Sequence, residues 1–495
     1  MIARVIPLLT AVAVLLPSAP SAAPPTVRDY SYHHDAVLGT SLDLRFVTAR
    51  AADAAAAESV ALAEIEQLRL ILSSWDSTSE LATLVRAGRL TAPSPELTAV
   101  LRQYERWHAA SGGAYTARVS ALTTLWSAAA QRGQVPSTTA LAAAVAQIQT
   151  PAWQIDPTSG AITLLAPGPL DLNSLGKGFI LDQVVRAVRA KVPRLDGGLI
   201  NIGGDIRTWG APANAPCWQV GVIDPRDPFD NGAPLVRLRL GAAAISSSGS
   251  YARGVDIAGV HHSHIIDPRT GQPADDVLGV TVIATDNATA NALSTTLSVL
   301  GPIDGQRLLA TVPGASALWV TRDAGVVRSP GFAAYEIATT RPAAVPAPFE
   351  ARLELDLTPT SRYRHRPYVA AWITDTAGGH VRTLAFWGDR TKYQRELTKW
   401  WGSFSGDRDL VDAVTRATRM AGQYTLEWDG TDQAGTAMPA GEYVFWLEAA
   451  YEDGPHSIQS VTVSCGSAPA TGALPSAAAF AGGQVSCGPA ATPAK

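Results

Sequence analysis

The hydrophobic pattern divides the chain into two unlike parts. Ser41-Leu-Asp-Leu-Arg-Phe46 alternates apolar and polar residues, as a strand with one buried face does. Ala51 to Ser73 is rich in alanine and leucine at helical spacing, and Leu97 to Ala110 continues in that style. Thr138 to Gln149 reads as a further helix, with Ser137, just after Pro136, as its N-cap. Short strands and turns follow until Asp182 to Val192, which is helical again. Val280 to Thr285 is β-rich and leads into a helix from about Ala288 to Leu300. This irregular mixture predicts an α+β (mixed α/β) domain over residues 24–341 rather than a doubly wound repeat.

The pattern changes after Arg341-Pro-Ala-Ala-Val-Pro-Ala-Pro348, where proline stiffens the chain and alanine carries no packing signal; residues 342–350 are expected to form a linker. Ala351-Arg-Leu-Glu-Leu-Asp-Leu357 then alternates strictly. Val369 to Thr374, Val381 to Trp387, Tyr424 to Trp428 and Tyr443 to Tyr451 also read as strands. They predict an all-β, sandwich-like domain over residues 351–466. Its tryptophans (Trp372, Trp387, Trp400, Trp401, Trp428, Trp446) would fill the sandwich core or offer a docking face, and core is the commoner use. Residues 467–495 are small and proline-containing, and are expected to be a disordered low-complexity tail.

Composition sharpens this picture. Of 495 residues, 46% are hydrophobic and 17% charged, enough to build sizeable cores. A net charge of -4 provides no basic field, so no nucleic-acid partner is expected. At the N-terminus, Arg4 precedes the apolar run Ile6 to Leu16 and the small, helix-breaking stretch Pro17 to Ala23. Residues 1–23 therefore read as a secretory signal, cut near Ser21 to Ala23 and too short to span a membrane. No other stretch is long and apolar enough, so an exported, periplasmic or extracellular protein without a transmembrane segment is expected. Cysteine is scarce: Cys465 and Cys487 suit a disulfide-closed loop in the tail, leaving Cys217 free and buried beside Trp218.

Four segments carry candidate chemistry. In Asp171-Leu-Asn-Ser-Leu-Gly-Lys-Gly178, small residues precede a lysine and a helix running on from about Phe179. Such a turn binds an anion through backbone N–H groups and the Lys177 charge, or is simply a tight strand-to-helix turn. Asn201-Ile-Gly-Gly-Asp205 looks like a strand entering a glycine turn, where Gly203 and Gly204 permit close approach of a ligand. Ser246-Ser-Ser-Gly-Ser-Tyr251, with Arg253, precedes His261-His-Ser-His264-Ile-Ile-Asp267-Pro-Arg-Thr-Gly271. Three of the nine histidines fall in that second run without regular metal-ligand spacing; a proton acceptor or an exposed polar turn both fit. Asn291 and Thr295, four apart on one helix face, offer hard oxygens of the kind magnesium takes.

In this order the segments resemble the ApbE family, the FAD:protein FMN transferases, over roughly residues 30 to 340. Leu38-Gly39-Thr40, Ser79-Glu80-Leu81, Ser111-Gly112-Gly113, Ser248-Gly249 and Ala290 to Leu297 add to the likeness, and the run His264 to Gly271 is its most specific element. The second domain looks like an uncharacterised exported domain that can follow such a transferase. The resemblance implies cleavage of the FAD pyrophosphate, attachment of FMN to a threonine or serine of an acceptor flavoprotein, and release of AMP. It implies Mg2+ held by the main-chain oxygen of Ser174 and the side chains of Asn291 and Thr295. Lys177 would steady a phosphate and His264 take the proton of the attacking hydroxyl. Gly203, Gly204, Asp205, Ser248, Gly249 and Asp267 would border the nucleotide. The chain departs from the family at Asn291, where a metal-binding aspartate is usual, and at Val85, Thr116 and Asn173. These departures give an alternative: a weakened FAD-binding protein, or a slow FAD pyrophosphatase.

Overall fold

A computed structural model describes residues 26–226, 234–250, 253–323, 325–337, 347–358, 367–388, 395–404, 415–416, 422–451, 454–477 and 479–490. The expected signal segment, Tyr251 and most of the expected linker lie outside the described residues; Phe349 and Glu350, assigned to the linker, already belong to a strand.

The first domain is α+β. Its frame is an antiparallel sheet whose eight strands lie side by side in sequence order: Arg28–Val37, Thr40–Thr48, Gly197–Ile202, Asp205–Trp209, Ala243–Gly249, Val277–Ala284, Ser316–Thr321 and Gly325–Arg328. Period-two alternation builds a core on each face. Leu42, Leu44, Phe46, Ile200, Val280, Val282 and Trp319 point to the helical face. Val47, Ile245, Ile283, Leu318 and Val320 point to the other, under the hairpin Trp218–Val222 with Val236–Leu240. Helix Ala51–Leu72 fits the first face because Ala54, Ala57, Ala61, Ile65 and Leu68 recur on one stripe. Ser137 caps helix Thr138–Ile148 as expected, accepting from Ala140 N.

Two further helices, Asn173–Lys191 and Asn287–Leu309, pack together on the helical face and carry the lysine and the asparagine of the candidate site. The first begins six residues earlier than the expected Phe179. Of its two glycines, which read as a turn, Gly178 is there for packing: a Cβ would overlap the Asn287 main-chain oxygen and lie 2.9 Å from Asn291 Cβ. The second helix breaks at Gly301 (φ 67°) before Pro302, close to the expected end at Leu300.

The second domain is a β-sandwich. One sheet has the order Gly422–Trp428, Phe349–Leu357, Phe480–Pro489, Ala470–Leu474; the other runs Thr415–Arg416, His380–Trp387, Tyr368–Asp375, Gly441–Ala450, His456–Cys465. The expected disordered tail is corrected here: Phe480–Pro489 pairs along Phe349–Leu357 in the middle of its sheet. Its small residues are what let it lie there, since Gly483 sits against the Glu354 main-chain oxygen and Leu355. Cys465 and Cys487 are disulfide-bonded as expected, with Cα atoms 5.4 Å apart and a sequence separation of 22, and the loop they close also ties the two sheets together. Cys217 is free but half-buried, not buried. Trp372, Trp387, Trp400 and Trp428 are buried, and Trp401 and Trp446 pack against an aromatic cluster under helix Thr398–Phe404.

Candidate active site

Because the helix starts at Asn173, Lys177 projects from its second turn rather than from a preceding loop. Asp171 holds the start, accepting from Asn173 N at 2.9 Å while its own N–H bonds Ala117 O at 2.7 Å. Ser174 Oγ lies 2.9 Å from both Tyr104 Oη and Tyr115 Oη, whose rings stack at 5.0 Å. Burial pushes both phenols up from their ordinary value, so they serve as neutral hydrogen-bonding groups. Neither tyrosine stood out in the sequence, where each reads as an ordinary core residue.

Across from this helix, Gly203 and Gly204 turn the chain between strands with φ of +58° and +96°. A Cβ at Gly203 would meet Thr40 Oγ1 at 2.5 Å, so the turn needs glycine. A line of bonds fixes it. Asn201 Oδ1 accepts from Gly204 N at 2.9 Å, Asn201 Nδ2 donates to Asp43 Oδ2 at 3.0 Å, and Asp43 Oδ1 lies 2.6 Å from His33 Nδ1. His33, Asp43 and Asn201 sit directly opposite one another on three neighbouring strands. Only the strand register reveals that alignment.

The turn delivers Asp205, which is buried, to Lys177 and Asn291. Lys177 Nζ stands 3.4 Å from Asp205 Oδ2, and Asn291 Nδ2 donates to Asp205 Oδ1 at 3.1 Å. Burial raises the Asp205 carboxyl above its ordinary range, opposed by the Lys177 charge. The amide orientation of Asn291 follows from this contact, since the reverse would set two oxygens face to face. Its Oδ1 is then buried with no hydrogen-bond partner. Such an orphaned hard oxygen fits a divalent cation. Thr295 is one turn further along the same helix, half-buried. Ser248 Oγ bonds Ser294 Oγ at 2.8 Å, and Ser294 Oγ donates to Asn291 O at 3.0 Å, so Ser248 and Gly249 close the same side. Among the described residues no three His, Cys, Asp or Glu side chains converge as a metal cage. The oxygens available nearby are therefore amide and hydroxyl rather than a carboxylate cage, with Asn291 Oδ1 the one left unpartnered.

His264 lies on a second feature, the turn His264 to Gly271. Asp267 accepts from Arg269 Nε at 2.9 Å and Nη2 at 2.8 Å, Trp126 Nε1 donates to Gly271 O at 2.9 Å, and Gln149 Nε2 to Pro268 O at 3.0 Å. The bonds of this turn run to its own residues, to the neighbouring Arg253, Ser263 and Ala274, and to Trp126 and Gln149, rather than to Lys177, Asp205 or Asn291. His264 is exposed, with Nδ1 3.1 Å from Arg253 O. A carbonyl partner makes Nδ1 the donor and leaves Nε2 as the acceptor of the neutral ring. Crowding by protein pulls its pKa below the ordinary histidine value, though the exposure limits that pull. His261 pairs instead with Asp256 at 2.9 Å, and His262 packs on Trp126 with ring centres 4.9 Å apart. Val85 packs against the core, and Thr116 Oγ1 accepts from Arg118 N at 3.2 Å.

The mixed sheet-and-helix frame brings a lysine, a buried carboxylate and an amide together beside a glycine turn. Residues 38–319 match the family model described as ApbE family, and the chain belongs to that family. Residues 350–479 match a model described as "Predicted periplasmic protein (DUF2271)". The FAD:protein FMN transferase of Treponema pallidum is 33% identical over 62% of this chain and 88% of its own length. That of Rhodobacter capsulatus is 30% identical over 59% of this chain and 56% of its own length. Among solved structures, the ApbE protein of Thermotoga maritima superposes with a TM-score of 0.56 at 25% identity, covering 63% of this chain and all (100%) of that one. The flavinyl transferase ApbE of Pseudomonas stutzeri superposes at 0.54 and 24% identity over 62% of this chain and 97% of that one, a likeness of fold.

Proposed function

We propose that the chain is an exported FAD:protein FMN transferase that moves FMN from FAD to a threonine or serine of an acceptor flavoprotein and releases AMP. The observation that carries this is the convergence of Lys177, Asp205 and Asn291 beside the Gly203-Gly204 turn, in a chain of the ApbE family. The transferase names of its relatives and the periplasmic description of the second domain's family support it. Mg2+, held by Asn291 Oδ1, Thr295 and the main-chain oxygen of Ser174, would neutralise the pyrophosphate charge when bound.

The chain's own groups do the rest. Lys177 sets an ammonium against a phosphate oxygen, and Asp205 and Asn291 hold its reach. His264 Nε2, neutral near pH 7, takes the proton as the acceptor hydroxyl attacks the phosphorus of the FMN half. The bond to the AMP oxygen breaks, and AMP leaves with that electron pair. Asp267 and Arg269 keep the histidine turn in shape.

Incubation with magnesium, FAD and a threonine-bearing acceptor is expected to give a protein band carrying covalent flavin fluorescence. Absence of that band overturns the proposal. A second reading is favoured by one observation, the neutral amide at 291 already bonded to Asp205: the chain holds FAD but transfers poorly, or hydrolyses it slowly to FMN and AMP. FAD binding without covalent transfer would select it.

A further inference from the structure

Asp182 reads in the sequence only as the first residue of the helical stretch Asp182 to Val192, outside the four segments with candidate chemistry, yet it joins the two helices that carry the site. Its Oδ1 accepts from Asn287 N and its Oδ2 from Ala288 N, each at 2.9 Å. These partners are 105 and 106 residues away in sequence. Asp182 sits on helix Asn173–Lys191, on the same element as Ser174 and Lys177. Asn287 and Ala288 open the helix that carries Asn291 and Thr295. Ordinary capping of that helix is already supplied locally, because Asp286 accepts from Thr289 N at 2.8 Å. The Asp182 bonds are therefore additional, and they run between elements.

We propose that Asp182 is a positioning residue for the phosphate site, its two carboxylate oxygens setting the register of the Asn291 helix against the Lys177 helix. The inference rests on the proposed function, which makes those two helices the walls of a flavin-nucleotide site. Gly178 allows the contact and Asp182 fixes it one turn further along. With both ends of a carboxylate engaged, neither sliding nor rotation of one helix is free of a lost charge-assisted bond. Asp286 and Arg207 are the charged groups that face Asp182, the first raising and the second lowering its carboxyl. Burial is the larger influence and carries the group up to about 6. The packed joint therefore favours the neutral carboxyl, and the charge that Asp182 carries at neutral pH is held there against that cost by its two N–H partners.

The test compares the full chain with Asp182→Asn and Asp286→Ala. FAD affinity is read by quenching of flavin fluorescence in the presence of magnesium, and amide exchange is read at Asn287 and Ala288. Loss of one charge-assisted bond at the joint is expected to weaken FAD binding by about tenfold in Asp182→Asn. Asp286→Ala, which removes the local cap and a like charge beside Asp182 but neither of the Asp182 bonds, is expected to keep affinity within about twofold. Protection at Asn287 and Ala288 is expected to fall in Asp182→Asn and by less in Asp286→Ala. Equal losses of affinity in the two variants, or unchanged protection at Asn287 and Ala288 in Asp182→Asn, would overturn the inference. If the unaltered chain binds no FAD, the proposed function fails instead. Amide exchange then still decides the clamp: protection at Asn287 and Ala288 must fall in Asp182→Asn relative to the unaltered chain, or the inference is wrong.

Discussion

Gly178→Ala is the most direct probe of the helix pair. The added methyl would overlap the Asn287 main-chain oxygen and stand 2.9 Å from Asn291 Cβ. Carbon atoms pack at about 3.5–4.0 Å, so the helices must part by roughly 1 Å. Overpacking of this kind costs about 1–3 kcal/mol. The same parting moves Asn291 away from Asp205, and a displacement of about 1 Å at a reacting centre costs on the order of a hundredfold in rate. Gly176 provides the matched control on the same helix. Its Cβ would meet only Leu172 Cβ, at 3.9 Å. Gly176→Ala should therefore stabilise the chain by roughly 0.5–1 kcal/mol, as alanine does at an open helical position. Thermal melting and the rate of covalent FMN transfer read both variants side by side. If Gly178→Ala is as stable and as active as Gly176→Ala, close packing of these helices does not set the site.

Other changes test other links. Asn291→Asp places a second carboxylate against Asp205; magnesium titration should show tighter binding and faster FMN transfer, with a lower melting temperature when chelator is present. Lys177→Met leaves Asp205 buried without its cation and should lower stability by about 1–3 kcal/mol in urea unfolding while raising KM for FAD at least tenfold. Serine at both Cys465 and Cys487 opens a disulfide spanning 22 residues, and should cost about 3 kcal/mol in the melting of the second domain. The Asp182 carboxyl lies at about 6 in the folded chain against an ordinary 3.8, so its contribution to stability is full below about pH 4 and lost as pH rises through 6. The full contribution is about 3 kcal/mol, of which about 1.4 kcal/mol is lost between pH 5 and pH 7, and Asp182→Asn should remove that part from the difference in unfolding free energy between the two pH values in urea.

Most elements were legible because one period dominates each of them. Leu42, Leu44 and Phe46 alternate on one strand, and the stripe from Ala54 to Leu68 marks one helix face. Failures occurred where small residues are used for close approach. Asn173 to Gly178 reads as a turn because glycine and serine favour turns, yet the helix packs so tightly that nothing larger fits at Gly178. The end of the chain reads as disordered for the same reason, although Phe480 and Val485 anchor it in the sandwich core. Within the site, Lys177, Asp205 and Asn291 were named from local motifs and the fold brings them together. Asp182, Tyr104, Tyr115, His33 and Asp43 act through partners far along the chain, and no local pattern marks such residues.

The charge balance around Asp205 links these observations. One buried carboxylate, one ammonium and one neutral amide form a set whose principal charges cancel within the protein. A carboxylate at position 291 would leave two negative groups about 3 Å apart, an arrangement that favours a bound cation before either group settles. The amide removes that demand, so the two helices can meet through Asp182 and Gly178 with the site already closed in its own bonds. Asn291 Oδ1 remains as an acceptor without a partner; under the proposed function, a single amide oxygen would be too weak to capture magnesium from water and would share one that arrives with a pyrophosphate. Magnesium affinity should accordingly be low in the free chain and rise when FAD is present, a coupling that calorimetry with and without nucleotide measures directly. Equal magnesium affinity in both conditions would mean that the amide at 291 takes no part in holding the ion.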